Sequence, residues 1–107
     1  MLTAKDVIRN EMESMEAIAS PLASDWETVL FAAVQDLYHL KKEFWVEEDV
    51  AKQLLPILQS GTPDMEALNG AIQTIQNSMM LHEEKFIREK VKNVLRKLFA
   101  VKATWNQ

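Results

Sequence analysis

The stretch "WETVLFAAVQDLYHLKKEF", residues 26–44, carries the clearest helical pattern in the chain. Its apolar residues recur at alternating spacings of four and three positions, at Trp26, Leu30, Ala33, Leu37, Leu40 and Phe44. At about 100° per residue, this spacing places all of them on one face of a helix. Such a seam is typical of a helix that packs against near-antiparallel neighbours, so the stretch predicts a helical bundle.

The same spacing recurs along most of the remaining chain, within residues 8–22, 50–57, 68–79 and 87–105. The 107 residues include only 2 glycines and 3 prolines, and no segment alternates apolar and polar residues as a half-buried strand does. The sequence therefore predicts an all-α fold, an antiparallel bundle of four to five helices in a single domain over residues 1–107. The last two seams are out of phase around residues 82–86, and we expect a break near Asn77 and Ser78.

Capping residues mark the expected helix starts. Thr3, close before Asp6, can cap a first helix, and Ser24 followed by Glu27 has the spacing of a capping box. Thr62 can cap the helix that follows the strongest break in the chain.

Glycine and proline mark the expected helix ends. Gly61 can adopt left-handed backbone angles after a helix, and Pro63 fits the first turn of the next one. Pro56 lies inside a helical pattern, so we expect it to kink that helix or shorten it by a turn.

Charge is distributed unevenly along the chain. Residues 1–84 hold fifteen acidic and five basic residues, a balance of −10, whereas residues 85–107 hold seven basic and one acidic residue, a balance of +6. A basic amphipathic helix over residues 85–102 could bind nucleic acid or an anionic membrane. The favoured interpretation is that its charges pair with acidic residues of neighbouring helices, because a net-acidic protein attracts polyanions weakly over distance.

Apolar residues extend beyond the seams in two helices. Phe31, Tyr38 and Trp45 lie off the seam that begins at Trp26, and Phe99 lies beside the terminal seam. An apolar arc this wide belongs either to a helix at the centre of a bundle or to one that buries a second face against another chain. A short bundle has little room for two central helices, so the pattern favours a homodimer with twofold symmetry.

Catalytic and metal-binding constellations are incomplete. Asp36, His39 and Glu43 share a helix face, and Glu13 and Glu16 share another, but neither group has the further ligands that a bundle metal site needs. A metal or nucleotide enzyme using these residues ranks last among the alternatives. We therefore expect no enzyme activity, no cofactor and no metal.

The sequence predicts a small cytoplasmic protein that acts by binding another protein, as an adaptor, chaperone or regulator. It has no cysteine and no apolar run that could span a membrane, and its first residues include charges at Lys5 and Arg9. The candidate interaction surface comprises Trp45, Lys85, Arg88, Lys92, Arg96 and Phe99.

Overall fold

The fold is all-α. The computed structural model describes residues 3–22, 25–40, 47–79 and 85–106. These residues form five helices: α1 (Ala4–Ile18), α2 (Trp26–His39), α3 (Glu47–Ser60), α4 (Met65–Met79) and α5 (Lys85–Trp105). The predicted all-α bundle is confirmed. None of the described helices combines the length and apolar character that a bilayer crossing needs.

Helices α2, α3, α4 and α5 form a closed ring, because each packs against its two neighbours and α5 packs back against α2. Helices α2 and α5 are antiparallel. Trp26, at the start of α2, meets Trp105, at the end of α5, with ring centroids 5.1 Å apart and planes at 88°. Further along, Asp36 of α2 forms an ion pair with Lys97 of α5.

Helix α1 lies outside this ring and packs mainly on α5. Two ion pairs set its direction, from Glu11 to Lys92 and from Glu16 to Lys102, each 2.6 Å between nitrogen and oxygen. In the second pair the residue numbers are higher on both helices than in the first, so α1 runs parallel to α5. The Leu22 N–H then donates to Thr104 Oγ1 at 2.8 Å, which fixes the segment after α1 to the end of α5.

The core is built from the predicted seams. Leu30, Ala33, Leu37 and Leu40 of α2 are all buried, and the described seam residues of α3, α4 and α5 join them, except that Trp105 is only partly buried. From α1, Met12 enters the same core, while Met15, Ala19 and Leu22 pack against its edge. Because α5 touches α1, α2 and α4, it is the central helix, which gives its wide apolar arc an internal explanation.

The start of α1 is as the sequence predicts, but the caps of two other helices differ. The Thr3 side chain accepts from the Asp6 N–H, and the Asp6 carboxylate accepts from the Thr3 N–H, which completes a capping box. Asp25 caps α2, since its carboxylate accepts from the Glu27 N–H at 3.1 Å; Ser24 lies outside the described residues.

A second aspartate caps α4 in place of the expected Thr62. The Asp64 carboxylate accepts from the Ala67 N–H at 3.1 Å, and its carbonyl accepts from the Leu68 N–H. The helix therefore begins after the expected cap, and the Thr62 side chain bonds back to Ser60.

The breaks around α3 and α4 agree with the sequence in part. Gly61 has a φ of 68°, the left-handed conformation expected after a helix. Helix α3 continues through Pro56 to Ser60, so, of the two effects expected of Pro56, early termination of the helix does not occur. Helices α4 and α5 are separate elements that pack against each other; the junction at residues 80–84 lies outside the described residues.

Candidate interaction surface

Two aromatic side chains stand on the outward face of α2. Phe31 is 51% exposed and Tyr38 is 45% exposed. They are seven positions apart, so they lie within about 20° of each other around the helix and form one stripe. Gln35, between them, is also exposed. We call Phe31, Gln35 and Tyr38 the α2 stripe.

The α2 stripe is exposed because the other side of the helix already fills the core. Leu30 and Leu37 each precede a stripe aromatic by one position, and both are fully buried. One position corresponds to a rotation of about 100°, which takes the next side chain out of the core. The Phe31 and Tyr38 rings therefore remain in contact with water over about half their surface.

At least three of the seven basic residues of α5 form ion pairs with carboxylates of other helices. Lys92 contacts Glu11 of α1 at 2.6 Å and Glu89 of its own helix at 3.2 Å, Lys97 pairs with Asp36, and Lys102 pairs with Glu16. The hydrogen bond from Lys92 to Glu11 raises the pKa of Lys92 above its ordinary value of 10.5, with a smaller contribution from Glu89, although partial burial opposes the rise. The Lys92 side chain is thus held as a cation.

The described residues of the predicted interaction surface differ in exposure and in pairing. Arg88 is half-buried, Lys92 is paired, and Arg96 is exposed. Trp45 lies outside the described residues, and Lys85 begins α5 with its side chain outside them.

Phe99 does not belong to this surface. Its side chain is only 2% exposed, because α1 packs on α5 and extends the core. The apolar arc of the terminal helix is therefore covered within the chain, and no second chain is needed there.

The residues considered for metal or catalytic roles are dispersed or paired. Asp36 and Glu16 each bind a lysine, His39 is exposed at the end of α2, and Glu13 lies in a groove between α1 and α4. Across the described ranges, no group of three or more histidines and carboxylates is placed to hold a metal ion. Glu43 lies outside those ranges.

Sequence reasoning missed a second exposed apolar pair, on α1. Val7 and Ile18 are both exposed, Ile18 by 78%. They are eleven positions apart, which returns to within about 20° of the same direction around the helix. The spacing is visible in the sequence, but most apolar residues of the first helix lie on its seam, and the pattern of that seam is the stronger one.

The described residues thus form a five-helix bundle in which three lysines of the basic helix are paired with carboxylates and α2 carries an exposed aromatic stripe. No protein-family model, no curated protein and no solved structure matches the chain.

Proposed function

We propose that this is a small non-enzymatic protein that acts by binding other proteins, as an adaptor, chaperone or regulator, and that it self-associates through the α2 stripe. The observation that supports the proposal is the half-exposure of Phe31 and Tyr38 on one stripe of a well-packed helix. Adjacent exposed aromatics are more typical of an interface than of a solvent-facing helix. The cysteine-free sequence suits a reducing compartment, and we propose a cytoplasmic location.

A twofold antiparallel pairing of α2 with a second copy suits the order of residues along the helix. The midpoint between Phe31 and Tyr38 lies next to Gln35, so an axis there sets Phe31 of each copy opposite Tyr38 of the other. The two helix dipoles would also be antiparallel, which is the favourable arrangement.

Binding of nucleic acid or an anionic membrane by residues 85–102 is the alternative, and it has less support. A polyanion needs several cations that are free to release counterions. Lys92, Lys97 and Lys102 are instead bound to carboxylates of the same chain. Only local disruption of α1 and α2 would free them.

Self-association is tested by measuring the mass of the protein with light scattering as concentration rises. We expect a dimer at about 100 μM, since specific homodimers commonly have dissociation constants of micromolar or below. The Phe31→Glu/Tyr38→Glu variant should be monomeric, while the matched control Ile18→Glu, which adds a charge at an exposed apolar site on α1, should remain dimeric. A strictly monomeric wild type would refute the proposal.

A further inference from the structure

A groove of about 500 Å³ lies between α2 and α5, on the opposite flank of α2 from α3. Its lining includes Asp36, His39 and Leu40 from α2, and Asn93, Arg96 and Lys97 from α5. Lys90 also lines this groove, and Asp36, its one carboxylate, is bound to Lys97.

Arg96 is the cation that the chain leaves for a ligand. Its guanidinium donates to Asn93 Oδ1 at 2.6 Å, and it forms no ion pair with a carboxylate in the described part of the chain. Lys97, the next residue, differs because Asp36 already binds it. A guanidinium has five N–H donors in a planar fork that matches a carboxylate. One neutral amide uses only a small part of that capacity.

We infer that this groove binds a glutamate or aspartate side chain from an acidic segment of a partner protein. Arg96 holds the carboxylate in a bidentate pair, and Asn93 orients the guanidinium. The inference rests on the proposed function in taking the partner to be a protein. It adds the chemistry of that partner and a site separate from the α2 stripe.

A carboxylate suits this groove better than a phosphate polymer. In the described part of the chain no carboxylate binds Arg96, whereas Lys92, Lys97 and Lys102 pair with Glu11, Asp36 and Glu16. A single carboxylate needs one such fork, whereas a nucleic acid needs a track of cations. Docking of α1 on α5 shows the same chemistry within the chain, with glutamates pairing to basic residues around apolar side chains.

The helix dipole fixes where in the groove the carboxylate lies. Helix α2 ends at His39, with Leu40 as its C-cap, and the C-terminal end of a helix carries partial negative charge. An anion is disfavoured beside those carbonyls. It is favoured at Arg96, which lies on α5.

The test uses the full chain and a fluorescein-labelled amphipathic helix-forming peptide of leucine and glutamate, with binding followed by fluorescence anisotropy. A second peptide replaces every glutamate with glutamine. We expect the glutamate peptide to bind and the glutamine peptide to bind at least about tenfold more weakly. Arg96→Gln should weaken the glutamate peptide about tenfold, and Arg96→Lys should recover only part of the loss because it lacks the fork.

Arg9→Gln is the matched control, because it makes the same chemical change at an exposed arginine of α1, in the groove on the α4 side. It should leave the affinity unchanged. Equal weakening by Arg9→Gln and Arg96→Gln would show a general charge effect and overturn the assignment. Perturbation of the Asn93 and Leu40 amide signals in NMR spectra should accompany binding, and its absence would overturn the assignment as well.

Two further measurements separate this inference from its competitors. A single-stranded oligonucleotide or phosphatidylserine vesicles that bind at physiological salt through Arg96, while the glutamate peptide does not, would contradict the carboxylate site. Light scattering of Arg96→Gln should give the wild-type mass, because the α2 stripe is intact. If the protein is a dimer but does not bind the peptide, only the proposed carboxylate site is refuted. If the protein is a monomer that binds the peptide through Arg96, only the proposed self-association is refuted.

Discussion

Replacing Met12 with alanine should release α1 while the four-helix ring remains folded. Met12 is 3% exposed and is the only buried α1 side chain among those described. Helix α1 packs mainly on α5, and its other described anchors are the edge contacts of Met15, Ala19 and Leu22, two ion pairs on the surface and the hydrogen bond from the Leu22 N–H to Thr104. Among the described side chains, Met12 therefore contributes most to the docking of α1.

The expected size of the effect follows from that burial. Truncating a buried methionine to alanine costs about 2–5 kcal/mol, and a peripheral helix that can partly close the gap belongs at the lower end. Each surface ion pair contributes only about 0–1 kcal/mol, so the pairs from Glu11 and Glu16 cannot compensate. A loss of about 2–3 kcal/mol makes the opening of α1 roughly 30- to 150-fold more frequent.

Hydrogen exchange read by mass spectrometry measures this opening. Amides of α1 in Met12→Ala should exchange faster by that factor, while amides of α2 to α5 keep their protection. Met15→Ala, at a half-buried position of the same helix, is the matched control and should have a smaller effect. Unchanged protection of α1, or an equal loss of protection in all five helices, would refute the description of α1 as an outer helix held by Met12.

Three further predictions concern stability, and each is measured by urea denaturation. Leu37→Ala, at a fully buried site in α2, should cost about 2–5 kcal/mol; a loss below about 1 kcal/mol would place Leu37 outside the core. Gly61→Ala should lower the free energy of unfolding by about 1 kcal/mol, because the φ of Gly61 is 68°. Gly70→Ala, inside α4, should raise the free energy of unfolding by about 0.5–1 kcal/mol, because the new Cβ meets Gln53 at an ordinary 3.5 Å. Changes of the same sign in the two variants would contradict the backbone argument. The pairing of Lys92 raises its pKa, so the ion pair stabilises the fold fully below the unfolded pKa of about 10.4, and this contribution is lost as pH rises through the folded pKa. The difference in unfolding free energy between wild type and Lys92→Met should therefore stay constant from neutral pH to about 10 and shrink above that. A difference that already falls between pH 8 and about 9 would contradict the raised pKa.

The core of the bundle could be predicted from the sequence because periodicity depends only on local geometry. Leu30, Leu37, Leu54 and Leu98 were all on predicted seams, and all are buried. Cap positions were less predictable. A serine and an aspartate adjacent in sequence cap about equally well, so packing of the first turn decides between them, and Asp25 rather than Ser24 has the observed bond.

The location of the exposed surface could not be predicted from the sequence. The sequence shows how wide the apolar face of a helix is, but it does not show whether another helix packs on that face. Phe99 and Phe31 give the same signal in the sequence. The first is buried because α1, far away along the chain, packs on α5, and the second has no such neighbour and stays exposed. The pairing of Lys92 with Glu11 likewise depends on tertiary structure, since the two residues lie on different helices at opposite ends of the chain.

Disulfide trapping tests the proposed association through the α2 stripe most directly, because the chain contains no cysteine of its own. Gln35→Cys places a single thiol at the expected twofold axis, and Gln59→Cys places one at an exposed site on α3. Under mild oxidation, the Gln35→Cys protein should form a covalent dimer much faster than the Gln59→Cys protein, and addition of Phe31→Glu should abolish that difference. Equal rates of cross-linking at the two positions would contradict self-association through α2.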